Sequence, residues 1–154
     1  MFDGQNLFSA RSGKIKVEWE VDENMNRLIK SNSIKEAIIV GISSETKLRF
    51  AEYNYMKQGE KLSNFLINSI VPMVDTTYRT LNSRENRYLM GSSMGGYISF
   101  SILWMHSEYF SKAAALSLPV AVEGGGIYQV LAKKESPELP VSYTHLTLPT
   151  TPYV

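Results

Sequence analysis

Few side chains in this sequence are placed to do covalent chemistry, and the best placed lies in RYLMGSSMGGYISF, Arg87 to Phe100. There Gly91-Ser92-Ser93-Met94-Gly95 has the G-x-S-x-G spacing that presents a serine on a sharp strand-to-helix turn. Ser93 is the candidate nucleophile. The backbone N–H of Met94, at the start of the following helix, would stabilise negative charge on an attacked carbonyl oxygen. A small-residue turn with no chemistry has the same composition, so the flanking elements decide. A short apolar run leads in and a second leads out, as a strand and a helix require.

A serine nucleophile needs a histidine to take its proton and an acid to orient that histidine. No aspartate follows Ser93; the glutamates that do are Glu108, Glu123, Glu135 and Glu138. The histidines are His106 and His145. His106 is expected thirteen residues down the helix, roughly 20 Å away, far beyond proton-transfer reach. It reads as a core or helix-end histidine.

The surrounding elements are legible from periodicity. WEVDENMNRLI, Trp19 to Ile29, spaces Val21, Met25, Leu28 and Ile29 as a helix, with acids early and Arg27 and Lys30 late. AIIVGI, Ala37 to Ile42, is expected to be a strand buried on both faces. Arg49 to Gly59 reads as an irregular loop. KLSNFLINSIVPMV predicts an amphipathic helix presenting Leu62, Phe65, Leu66 and Ile70, ended or kinked by Pro72. The apolar stretch from Met94 to Phe110 predicts an interior helix. Ala113 to Val120 predicts a third buried strand, and Ile127 to Lys134 a short helix. The glycines at 124–126 lack a following lysine and read as a flexible loop rather than a phosphate cradle. Strands alternating with helices imply an α/β chain around a mainly parallel sheet.

Composition narrows the function. A net charge of +1 gives no footprint for nucleic acid or an anionic membrane. No apolar run approaches a spanning length, and no signal segment opens the sequence. With no cysteine, disulfides and thiolate metal ligands are excluded. We expect no metal, no cofactor, no nucleic-acid or membrane partner, and a cytoplasmic location; nothing in the sequence speaks to oligomeric state.

Several blocks together resemble the esterase family of α/β-hydrolases that includes enterobactin-type siderophore esterases, S-formylglutathione hydrolase and feruloyl esterases. They are FDGQNLF (Phe2 to Phe8), WEVDENMNRLI, AIIVGI, RFAEY (Arg49 to Tyr53), IVPMVDTTYRT (Ile70 to Thr80) and GSSMGGYIS (Gly91 to Ser99). The resemblance implies a small-molecule ester substrate, with Ser93 as nucleophile and Met94 at the oxyanion hole. It also implies that Asp3-Gly4-Gln5 is the loop carrying the second oxyanion donor, the N–H of Gln5. Read alone, Asp-Gly is a plain tight turn. Arg49, Glu52 and Tyr53 match a block near the active-site mouth, although a surface ion pair explains them equally well. Asp75, Tyr78 and Arg79 are expected to fix the turn before the nucleophile strand.

The resemblance also implies a partial α/β-hydrolase domain over residues 1–140, lacking N- and C-terminal strands and the triad acid and histidine. VSYTHLTLPTTPYV, from Val141, carries no charge and resembles a translated sequencing adapter, so residues 141–154 read as a non-native tail. On this reading the chain is part of a serine esterase and inactive alone. A non-catalytic α/β module binding through a sheet edge, and an acyltransferase of the same fold, are the alternatives.

Overall fold

Residues 1–9, 18–44, 47–124 and 126–135 are described by a computed structural model of the chain. The chain divides into two compact units, Met1–Glu45 and Thr46–Val154.

In the first unit, helix α1 spans Val21–Lys30, within two residues of the expectation. Asp22 and Glu23 occupy its first turn and Arg27 and Lys30 its last, each favourable to the helix dipole. Val21, Met25, Leu28 and Ile29 form its half-buried stripe. The expected strand at AIIVGI is not built as such. Ile42 makes an isolated parallel bridge to Phe2, and Ile38 remains 49% exposed. β-branched composition favours an extended chain, but a ladder also needs partners, and among the described residues the segment after Met1 supplies a single bridge.

In the second unit, Arg49 to Gly59 is not the irregular loop that its composition suggests. Helix α2 spans Arg49–Glu52, and a π-helical turn spans Tyr55–Gly59. Buried Asn54 organises the pair: its side chain accepts the Met56 N–H at 3.0 Å and donates to the Glu123 carbonyl at 2.7 Å. Tyr53 and Tyr55 on either side are buried.

Helix α3, Glu60–Phe65, then continues through a π-helical turn, Leu66–Ile70, into α4, Val71–Thr77. Pro72 therefore does not end the run. It stands in the first turn of α4, where its missing N–H costs least, and the wider π turn before it absorbs the interrupted ladder. The inward stripe is Ser63, Leu66, Ile67 and, half-buried, Ile70; Phe65 is 50% exposed. The expected face was rotated by about one residue.

Strand β1, Tyr88–Ser92, feeds helix α5, Met94–Met105, and strand β2, Lys112–Leu116, returns parallel to β1. The pairing runs from Tyr88 opposite Lys112 to Ser92 opposite Leu116. α5 is the interior helix predicted, with Tyr97, Ile98 and Ile102 fully buried, but it stops at Met105 rather than Phe110. β2 is shorter than expected and only half-buried, through Ala113, Ala114 and Ala115. Helix α6, Ile127–Leu131, packs Val130 into the same core. The tail 141–154 lies outside the described residues.

Candidate active site

Ser93 joins β1 to α5 with φ 54° and ψ −123°, a backbone conformation that side-chain-bearing residues rarely adopt. Its own N–H donates to the Leu116 carbonyl at 2.8 Å, and its carbonyl accepts the Tyr97 N–H at 3.0 Å. The residue is exposed, and its side chain makes no capping hydrogen bond to α5. Its hydroxyl is thus held at a sharp bend without serving the helix it precedes.

The glycines of the motif explain how the bend closes. A Cβ on Gly91 would lie 2.3 Å from the Gly95 carbonyl oxygen and 2.4 Å from its carbon. One on Gly96 would stand 3.0 Å from the Leu116 oxygen. Strand, helix and neighbouring strand therefore meet backbone to backbone. The buried side chain of Met94 anchors the first residue of α5. Its N–H belongs to the first turn, whose donors have no intrahelical acceptor.

The Asp3-Gly4-Gln5 turn lies in the first unit. Asp3 is buried and left-handed, with φ 58° and ψ 46°, and Gly4–Asn6 forms a single 3-10 turn behind it. A Cβ on Gly4 would come within 2.7 Å of the Gly41 carbonyl carbon, and the Gly4 N–H donates to Ile42 at 2.9 Å. The Gln5 side chain bridges the turn: its amide donates to the Asp3 carboxylate at 3.2 Å and accepts the Ser44 N–H at 3.3 Å. This is a more braced structure than the plain turn its composition allows.

Arg49 opens α2, with its guanidinium 5.0 Å above the ring of buried Tyr53. That ring contact joins two members of this block. Asp75 accepts hydrogen bonds from Arg87 at 2.6 Å and from the Thr80 hydroxyl at 2.8 Å. It thereby ties α4 to the residue just before β1. Burial by itself would raise its pKa, but these two donors outweigh that and hold the carboxyl below the usual range. Arg87, rather than the expected Arg79, pairs with Asp75, and Tyr78 is 56% exposed.

His106 caps the far end of α5, about 20 Å from Ser93 along the helix. Its Nε2 lies 3.3 Å from the Tyr55 hydroxyl and its Nδ1 3.5 Å from Glu108. Lys134 completes the cluster, donating to the Met105 carbonyl at 2.9 Å and standing 3.5 Å from Glu108. Burial pushes the Tyr55 phenol up, and the charges of Glu60 and Glu108 push it further. At Glu108 burial acts upward, but a backbone donor and the charges of Lys134 and His106 leave its pKa lowered. This cluster is not legible from sequence spacing, because Tyr55 and His106 are 51 residues apart. His145 lies outside the described residues. Among the described residues no group of His, Cys, Asp and Glu could hold a metal, and no helix is long and apolar enough to cross a membrane.

Parallel strands joined through an interior helix that begins at a strained serine define an α/β-hydrolase-like fold. Residues 1–137 match the family model described as "Putative esterase", and the chain belongs to that esterase family. It is also similar to a solved structure described as a ferulic acid esterase, at 27% sequence identity and a TM-score of 0.55. That match covers 69% of this chain, and the chain spans 40% of the length of that structure.

Proposed function

We propose that this chain carries the nucleophile of a serine carboxylic-ester hydrolase. The observation that supports it most is the exposed Ser93 at φ 54°, ψ −123°, between β1 and α5. On this reading the Ser93 Oγ attacks the ester carbonyl carbon as a general base takes its proton. The Met94 N–H holds the resulting oxyanion. The N–H of Gln5 is proposed as second donor on the resemblance of its turn alone. Collapse expels the alcohol, which takes the proton, and leaves an acyl group on Ser93; water then attacks the same carbon and releases the acid. Esters of ferulic acid are the first substrates to assay, by analogy with the similar structure's name.

The base and its orienting acid come from outside the described residues, since His106 is engaged at the opposite end of α5. The chain alone is therefore proposed to turn over esters slowly. A fluorophosphonate probe followed by peptide mapping tests this. Slow labelling of Ser93, accelerated by added imidazole as a substitute base and lost in Ser93→Ala, is expected. Labelling scattered over surface serines, with Ser93 unmodified even in imidazole, refutes the nucleophile reading. Rapid labelling without imidazole refutes the missing base.

A further inference from the structure

Strand register brings a second strained serine beside the first. Ser92 stands opposite Leu116 in the parallel pair, so the next residue of each strand, Ser93 and Ser117, leaves the sheet side by side. At the spacing of paired strands their backbones are roughly 5 Å apart. The Ser93 N–H to Leu116 carbonyl bond, 2.8 Å, is the last rung between them. Ser117 has φ 48°, in the left-handed region, and is exposed. Glycine takes this conformation without steric cost, whereas serine does not. In parallel α/β sheets ligands sit at the carboxyl ends of strands, which is where both serines stand. Strained non-glycine residues also concentrate where a site needs a fixed backbone.

We propose that Ser117 is a specificity-determining residue of this site. Its small side chain, at the carboxyl end of β2, bounds the space available to the ester substituent lying on that side of Ser93. A larger residue there would exclude bulky substituents and spare small ones. The inference rests on the reading of Ser93 as nucleophile.

Two substitutions suit the left-handed backbone and change the bulk in opposite directions. Asparagine tolerates positive φ and is larger, while glycine tolerates it and is smaller. The rate of Ser93 labelling in the 154-residue chain, with imidazole present, is measured with a small methyl ethyl fluorophosphonate and a bulky diisopropyl one. Ser117→Asn should slow the bulky probe by about ten-fold, comparable to a one-methylene misfit in a pocket, and leave the small probe within about two-fold. Ser117→Gly should hold or raise the rate of the bulky probe. Equal effects on both probes, or none, with unchanged urea midpoints, overturn the proposal and leave Ser93 as nucleophile. If wild-type Ser93 is not labelled at all, the nucleophile reading fails and takes this one with it. The wild-type arm and the variant arms therefore separate the two failures.

Discussion

Replacing Gly91 by alanine tests how the serine is held. The added Cβ would meet the Gly95 oxygen at 2.3 Å, its carbonyl carbon at 2.4 Å and its Cα at 2.8 Å. These atoms are backbone, so no side chain can rotate away. Relief requires the first turn of α5 to move about 1 Å from β1, since ordinary contact needs about 3.5 Å. That turn is fastened by the Ser93 and Tyr97 bonds and by the buried residues Met94, Tyr97 and Ile98. Overpacking of a tight site costs about 1–3 kcal/mol. Losing glycine's freedom in the unfolded chain returns only about 0.4–1 kcal/mol. A net loss of about 1 kcal/mol is expected, which in a chain of 154 residues lowers the melting temperature by about 2–4 °C. Gly96→Ala is the control. Its nearest contact is 3.0 Å, and helix propensity favours alanine by about 0.5–1 kcal/mol, so the two effects nearly cancel. Urea unfolding followed by circular dichroism reads both variants. Gly91→Ala as stable as wild type, or more stable than Gly96→Ala, would refute the backbone-to-backbone account of the bend.

Other perturbations address the supports of the site. Asp75→Asn should cost about 1 kcal/mol at neutral pH, the low end for a charged hydrogen bond because the pair is partly exposed. The Asp75 pKa is depressed in the folded state, so its contribution is present above the unfolded value and lost as pH falls through the folded one. Urea midpoints of wild type and Asp75→Asn should therefore converge below about pH 4; a gap that persists in acid contradicts the pairing. Tyr55→Phe removes the hydroxyl bonded to His106 and should cost about 0.5–1.5 kcal/mol by the same measurement, without changing the Ser93 labelling rate. Ile98→Ala empties a fully buried position on α5 and should cost about 2–5 kcal/mol.

The bend at Ser93 was legible because its requirements are local. Small residues must stand where two backbones meet, and Gly91, Gly95 and Gly96 do. Helix α1 was legible for a similar reason, its stripe and terminal charges lying within ten residues. The Arg49–Gly59 region was not, because its order comes from distant partners: Asn54 bonds Glu123, 69 residues away. Nothing in a polar, aromatic segment announces such a partner. AIIVGI failed in the opposite direction, since its composition favours extension but cannot state how many neighbours pair with it. The Asp3–Gln5 turn could be singled out only through the family resemblance. Its bracing depends on Ser44, 39 residues on.

The energetics of the bend also discriminate between a functional serine and a simple connection. Holding a non-glycine residue in this conformation costs about 1–3 kcal/mol. The Ser93 N–H to Leu116 bond contributes about 0.5–1.5 kcal/mol against that, and would form equally well if residue 93 were glycine. Glycine's greater freedom in the unfolded chain takes back about 0.4–1 kcal/mol, so stability favours glycine at position 93 by about 1 kcal/mol net, and Ser93→Gly should raise the urea midpoint modestly while abolishing labelling. A serine there carries a conformational cost, as the proposed chemical role of an exposed hydroxyl requires. If Ser93→Gly proved less stable than wild type by about 0.4–1 kcal/mol, the loss expected from glycine's freedom alone, the strain would be absent and with it this reason for assigning the hydroxyl a chemical role.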